Sequence, residues 1–207
     1  GGIPAPMYPP FRADRIEEYA GRQVALLRNA EARVMITFAQ VERVAGLLRG
    51  RVPSLTAIVT VDDLTQASGL SPQSSVPGVW LTADDPTLIQ YTSGSTGAPK
   101  GVLLSHGNVL ANIRAIGQGL DIRPDDVAVS WLPLYHDMGL IGAWLGALYF
   151  GTPVAILSPL AFLARPARWL WALHSHRGTM SPAPNFAFDL CVRKVTDEEI
   201  DGLDLSC

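Results

Sequence analysis

Tyr91-Thr92-Ser93-Gly94-Ser95-Thr96-Gly97-Ala98-Pro99-Lys100-Gly101 is the stretch on which the fold of this chain turns. It follows one apolar run, Thr87-Leu88-Ile89-Gln90-Tyr91, and leads into another, Val102-Leu103-Leu104. A loop of small residues therefore joins two β-type segments. Gly94, Gly97 and Gly101 let the backbone come close to a bulky anion without a Cβ in the way. Thr92, Ser93, Ser95 and Thr96 carry hydroxyl donors, and Lys100 adds a positive charge on a flexible stem. Successive N–H groups in such a loop can form an anion-binding nest. Together these features make a grip for a polyphosphate, ATP above all.

The loop is not a Walker A motif, which needs Gly, four residues, then Gly-Lys-Ser/Thr. Counting from Gly94, Pro99 stands where the second Gly belongs, and Gly101 rather than a hydroxyl residue follows Lys100. Pro99 also has no N–H to give a phosphate. A P-loop NTPase is a poor fit. The fixed Pro-Lys-Gly ending between two strands argues equally against a plain flexible linker.

Tyr91 through Gly101 resembles the phosphate-binding loop of the adenylate-forming superfamily: acyl-CoA synthetases, nonribosomal-peptide adenylation domains and luciferases. Leu132-Pro133-Leu134-Tyr135-His136-Asp137-Met138-Gly139 resembles the next motif of that superfamily. Three further segments narrow the resemblance to fatty acyl-AMP ligases. They are Ile3-Pro4-Ala5-Pro6-Met7-Tyr8-Pro9-Pro10, the run from Ser158 to Pro166, and the run from Ala183 to Cys191. The similarity is collinear and covers essentially the whole chain. It implies an α/β fold of layered, parallel-rich sheets with flanking helices, part of the large N-terminal domain of an adenylate-forming enzyme. It further implies an internal piece of that domain, its adenine-site motif, hinge and C-terminal domain lying beyond Cys207. Such a piece alone is expected to be inactive and to bind ATP weakly or not at all.

The activity implied by the resemblance is carboxylate activation. A fatty acid attacks the α-phosphate of ATP, pyrophosphate leaves, and an acyl-adenylate forms with Mg²⁺ as cofactor. Charge moves toward the departing phosphates, so donors aimed there stabilise the transition state more than the ground state. Thr92, Ser93, Gly94, Ser95, Thr96, Gly97 and Lys100 are the residues expected to hold the nucleotide, with Thr92 the expected Mg²⁺ contact. Lys100 and His136 are the residues expected in catalysis. His136 matches the position beside the acyl carboxylate, although a His next to Asp137 at a helix start could also serve only to satisfy backbone donors. No general base is required, because a carboxylic acid is already ionised near neutral pH. Trp131, Met138, Gly139, Ile141, Asn185 and Phe186 are the expected acyl-pocket walls, with core packing an equal alternative for each. The implied acyl acceptor is the phosphopantetheine thiol of an acyl-carrier protein or polyketide synthase, with coenzyme A as the rival. A non-catalytic scaffold or degenerate binding module is the reading from a different class.

Composition sets the remaining bounds. The 207 residues are 48% hydrophobic with a formal net charge of −3, enough for one α/β domain or part of a larger one. Mild acidity and the absence of a Lys/Arg run give no reason to expect nucleic acid or an anionic membrane as partner. Cys191 and Cys207 are too few for a disulfide framework, which makes a cytoplasmic setting the default. Met138 to Ala164 carries no charge, but Gly151-Thr152-Pro153 interrupts it, so a buried helix and a buried strand are expected instead of a membrane span. Gly142 and Gly146 within it are expected to admit a close neighbour. His174 and His176 have an i, i+2 spacing that splits across a helix and suits no metal. No Ser lies in a G-x-S-x-G elbow.

The expected organisation is a helix-and-strand segment over 1–67, a loop over 68–83, and a phosphate-loop and acyl-pocket segment over 84–207. Asp14-Arg15-Ile16-Glu17 reads as a capping box for a helix with Ile16, Tyr19, Ala20, Val24 and Leu27 on its core face. Thr37-Phe38-Ala39-Gln40 reads as a second, with Phe38, Val41, Val44, Ala45 and Leu48 facing inward. Strands are expected at Val34–Ile36, Ala57–Val61, Val127–Val129, Val154–Leu157 and Thr179–Ser181, and helices from His106, after His136, from Arg165-Pro166 and over Asn185–Val195.

Overall fold

The computed structural model describes residues 2–9, 16–39, 42–67, 80–92 and 100–206. Asp14 and Arg15 of the first capping box, Gln40, Val41, most of the 68–83 loop, and Ser93 through Pro99 lie outside the described residues. The side chains of Ile16 and Val44 do as well. The chain divides into two units, Gly1–Ser105 and His106–Cys207.

The first unit runs α1 (Ile16–Asn29), β1 (Val34–Thr37), α2 (Glu42–Arg49), β2 (Ala57–Thr60), α3 (Val61–Ala67), β3 (Pro86–Thr92) and β4 (Lys100–Ser105). β1 and β2 pair in parallel, Val34 opposite Ala57 through Thr37 opposite Thr60. Parallel neighbours need a crossover connection, and α2 supplies it. Side chains alternate along β1, so Met35 and Thr37 turn inward while Val34 and Ile36 face out. Val24 and Leu27 of α1, Met35, Ala45 and Leu48 of α2, and Val52 and Leu55 form one apolar core.

Two expectations for this unit fail. Thr37 is the last residue of β1 and Phe38 after it belongs to no helix, so Thr37 does not cap one there. Phe38 is exposed, because it keeps the outward parity of Val34 and Ile36 instead of joining the face of α2. A reciprocal cap does occur at α3, where Asp63 Oδ2 accepts from the Thr60 N–H and hydroxyl at 2.8 and 2.7 Å. The Asp63 N–H returns a bond to Thr60 Oγ1 at 3.1 Å. These bonds to the charged form hold the Asp63 carboxyl below its ordinary range.

Gln23 is wholly buried on α1, and neither its amide nitrogen nor its oxygen has a partner among the described residues. Leaving such a group unpaired costs about 1–3 kcal/mol. Gln23→Met, close in volume and apolar, is expected to raise the urea midpoint at unchanged slope. A lower midpoint would show that the amide is satisfied in solution.

The second unit runs α4 (His106–Leu120), β5 (Ala128–Ser130), a π-helical segment Met138–Leu145 continuing into α5 (Gly146–Phe150), β6 (Val154–Ile156), α6 (Pro159–Ala164), α7 (Ala167–His176), α8 (Asn185–Lys194) and a 3₁₀ turn Asp197–Ile200. β5 pairs in parallel with β6 on one side and bridges in parallel to Met180 on the other. All three of its residues are buried, as a central parallel strand requires. Thr179–Ser181 thus supplies a single bridge where a short strand was expected. α6 was not anticipated; Ser158-Pro159 starts it, with Pro in the first turn.

The uncharged stretch breaks into helix, strand and helix. Gly151 closes α5 with φ 69°, a left-handed conformation glycine adopts without penalty. No described helix is long and apolar enough to cross a membrane. The stretch is less buried than its composition suggests: Met138, Leu148, Tyr149 and Ile156 are exposed. Nor does Gly142 admit a close neighbour, since a Cβ there would meet nothing within 4 Å. Gly139 is the residue of this segment that does.

Candidate active site

β3 and β4 form an antiparallel hairpin in which Thr92 stands opposite Lys100 and Tyr91 opposite Gly101. Directly opposed residues project to the same face, so Thr92 and Lys100 share one face at the open end of the hairpin. Both are exposed there. Tyr91 and Gly101 share the other face, where a Cβ on Gly101 would press against Ile89 Cγ2 at 2.9 Å and the Tyr91 ring at 3.1 Å. Only glycine lets the Tyr91 ring lie flat on the opposing strand. The Tyr91 hydroxyl reaches α1, 2.7 Å from Asn29 Oδ1 and 3.3 Å from the Leu26 carbonyl. Burial pushes that hydroxyl above its ordinary pKa, which keeps it a donor. The hairpin is therefore anchored to α1 on one face and presents Thr92 and Lys100 on the other. Ser93, Gly94, Ser95, Thr96 and Gly97 lie outside the described residues.

In the second unit, the motif beginning at Leu132 makes a tight turn into the π-helical segment. The His136 N–H donates to the Pro133 carbonyl at 3.1 Å, and the His136 carbonyl accepts from the Leu140 N–H at 2.8 Å. A Cβ on Gly139 would overlap the Pro133 carbonyl oxygen and sit 2.9 Å from its carbon and 3.0 Å from the Leu132 oxygen. Gly139 is thus packed on backbone. Asp137 Oδ1 accepts from the Met138 N–H at 2.7 Å and lies 2.5 Å from His136 Nδ1. The rings and carboxylates of both residues stay largely open to solvent, and Met138 is exposed beside them, whereas Ile141 is buried. A π-helical turn at such a place is frequent at functional sites, because it widens the backbone and redirects side chains.

Trp131 is 3% exposed and lies in an aromatic cluster. Its ring stacks on Phe162 at 4.0 Å and 15°, and meets Trp169 and Phe186 edge-on at 6.2 and 5.9 Å. Trp169 is fixed by its indole N–H donating to Ser181 Oγ at 2.7 Å, and Ser181 donates to the Val129 carbonyl at 2.6 Å. Phe186 is 53% exposed and Asn185, the first residue of α8, is exposed too. Trp131 and Phe186 are therefore in contact, and His136, Met138 and Gly139 form one turn. Asn185 stands beside Phe186 with no described contact to that turn. Thr92 and Lys100 belong to the other unit. A separate cleft of about 1060 Å³ in the first unit is lined by Tyr8, Tyr19, Ile36, Phe38, Ile89 and Tyr91 among others, and none of the expected acyl-pocket residues lines it.

Asp137 stands at a helix start as expected, and two further features of the site lie beyond local pattern. Phe162 and Trp169, which complete the aromatic cluster, belong to segments distant in sequence and carry no local signal. The Tyr91–Asn29 contact is likewise long-range.

The hairpin bearing Thr92 and Lys100 and the glycine-seated His136 turn are the two segments whose sequences resemble those of adenylate-forming enzymes. The family model described as AMP-binding enzyme matches residues 1–206, and the chain belongs to that family. It is 42% identical over 188 residues to long-chain-fatty-acid–AMP ligase FadD26 of Mycobacterium marinum, a match that takes in 79% of this chain and 32% of that protein. It is 36% identical over 208 residues to the medium-chain-fatty-acid–acyl-carrier-protein ligase JamA of Moorena producens, across 99% of this chain and 34% of that protein. Among solved structures, one from a study of fatty acyl-adenylate ligases from E. coli and L. pneumophila superposes with a TM-score of 0.90 at 33% identity, over 99% of this chain and 36% of the other. The chain spans about a third of the length of these relatives.

Proposed function

We propose that the whole protein activates a fatty acid with ATP. A carboxylate oxygen of the acid bonds to the α-phosphorus, the bond from that phosphorus to the bridging oxygen breaks, and the electron pair leaves with pyrophosphate. The sulfur of a thiol then bonds to the acyl carbon, the bond from that carbon to the AMP oxygen breaks so that AMP leaves, and the thiol proton is released. The phosphopantetheine of a carrier protein or polyketide synthase is the proposed acceptor in a cytoplasmic setting. The observation that carries this reading is the pairing of Thr92 with Lys100 on the free face of an anchored hairpin. Lys100 is placed to follow charge as it collects on the leaving phosphates, and an interaction that grows toward the transition state raises the rate. Phe186 and Met138, both exposed, would offer apolar surface for the acyl chain, and Asn185 a polar point beside Phe186.

Mg²⁺ fits as an ion carried by the nucleotide. It prefers oxygen ligands, keeps several waters, and is held by phosphates with few protein groups. Thr92 supplies one such oxygen, and no cluster of three His, Cys, Asp or Glu residues capable of holding a metal is found among the described residues. When bound, the ion would neutralise charge on the phosphates.

The test is exchange of labelled pyrophosphate into ATP by the whole protein. Exchange that depends on added fatty acid, with acyl-adenylate detected by mass, is the expected result. Exchange that ignores fatty acid would overturn the reading. Supplying either a phosphopantetheinylated carrier or coenzyme A then identifies the acceptor by which thioester accumulates.

A further inference from the structure

One carboxylate oxygen does two jobs at the start of the π-helical segment. Asp137 Oδ1 accepts from the Met138 N–H at 2.7 Å and sits 2.5 Å from Nδ1 of His136. A ring nitrogen and a carboxylate oxygen this close attract only if the nitrogen carries a proton; two lone pairs at that separation repel. The carboxylate is not free to swing away, because the first N–H of the helical segment holds it as a cap. The backbone of His136 is fixed as well. Its own N–H is bonded to the Pro133 carbonyl, against which Gly139 packs. The imidazole therefore has one nitrogen occupied by its neighbour and one left over.

We propose that Asp137 is a positioning residue: it keeps a proton on Nδ1 of His136 and reserves Nε2 as the nitrogen offered to the bound acid. A neutral imidazole in this seat presents a lone pair at Nε2. Taking up a second proton there turns it into a donor for a carboxylate, and Asp137 balances the added charge. The orienting contact thus decides which nitrogen meets the ligand. The link to the acid rests on the function proposed above, but the protonation pattern does not.

Ring-¹⁵N histidine labelling of the protein, read at a pH where the imidazole is neutral, tests the seat directly. The expected spectrum has His136 protonated on Nδ1, opposite to the preference of free histidine. Asp137→Ser keeps a cap for Met138 but removes the carboxylate, and should move the proton to Nε2 without loss of helix by circular dichroism. Asp137→Asn keeps the cap and an acceptor oxygen and should leave a mixture. Wild-type His136 protonated on Nε2, or an Asp137→Ser spectrum still showing Nδ1–H, would overturn the proposal. Absence of fatty-acid-dependent exchange would count against the proposed function and leave this result standing.

Discussion

Replacing Lys100 with alanine is expected to lower fatty-acid-dependent pyrophosphate exchange by the whole protein about 100-fold, the scale for losing one preorganised charge contact to a transition state. The register of the hairpin puts Lys100 across from Thr92, exposed, on the face turned away from the Tyr91 anchor. An exposed side chain with no packing duty can be truncated without harm to the fold. The loss should therefore fall on the rate, with thermal stability within about 0.5 kcal/mol of wild type. It should fall mainly on kcat, because charge on the departing phosphates is greatest in the transition state. Lys100→Arg keeps the charge but changes its shape and reach, and should recover only part of the rate. An alanine variant exchanging at the wild-type rate would remove Lys100 from the mechanism.

Gly139→Ala is the second large effect. The new methyl would overlap the Pro133 carbonyl, and backbone on both sides cannot yield as a flexible side-chain end would. Overpacking of this kind costs about 1–3 kcal/mol. Because the Pro133 carbonyl also receives the His136 N–H, the strain should displace the His136 turn and lower exchange at saturating ATP. Gly142→Ala is the matched comparison. It lies in the same π-helical segment, and its methyl would meet nothing within 4 Å. Alanine favours helix over glycine by about 1 kcal/mol, so that variant should be neutral or slightly more stable. Equal denaturation midpoints for the two variants would show that the close approach at Gly139 is not felt.

Much of this arrangement was written locally. The two apolar runs flanking the Gly/Ser segment did become β3 and β4, and the period-3.6 pattern of α1 did place Val24 and Leu27 in a core. What local pattern could not supply was parity and distance. Thr37-Phe38-Ala39-Gln40 has the letters of a capping box, yet pairing with β2 claims Thr37 for a strand, and the period of two then sends Phe38 outward. The Gly142/Gly146 spacing reads as a contact face, but contact depends on what lies opposite, and nothing does at Gly142. In the candidate site, local pattern offers residue types but not what each side chain packs against. Gly139 and Trp131 read equally as pocket walls or core residues; Gly139 is set against the Pro133 backbone and Trp131 is enclosed by Phe162 and Trp169, partners no short window contains.

In the proposed function, the hairpin end bearing Thr92 and Lys100 holds the terminal phosphates of ATP. An ATP analogue with a reactive acyl group on its terminal phosphate acylates whichever lysine amine lies beside it, and this stretch of the protein carries two, Lys100 and Lys194. Peptide mass mapping of the whole protein should find Lys100 acylated, Lys194 spared, and the labelling suppressed by excess ATP. Lys100 left unmodified, or modified equally with and without ATP, in a protein that still exchanges pyrophosphate would contradict it.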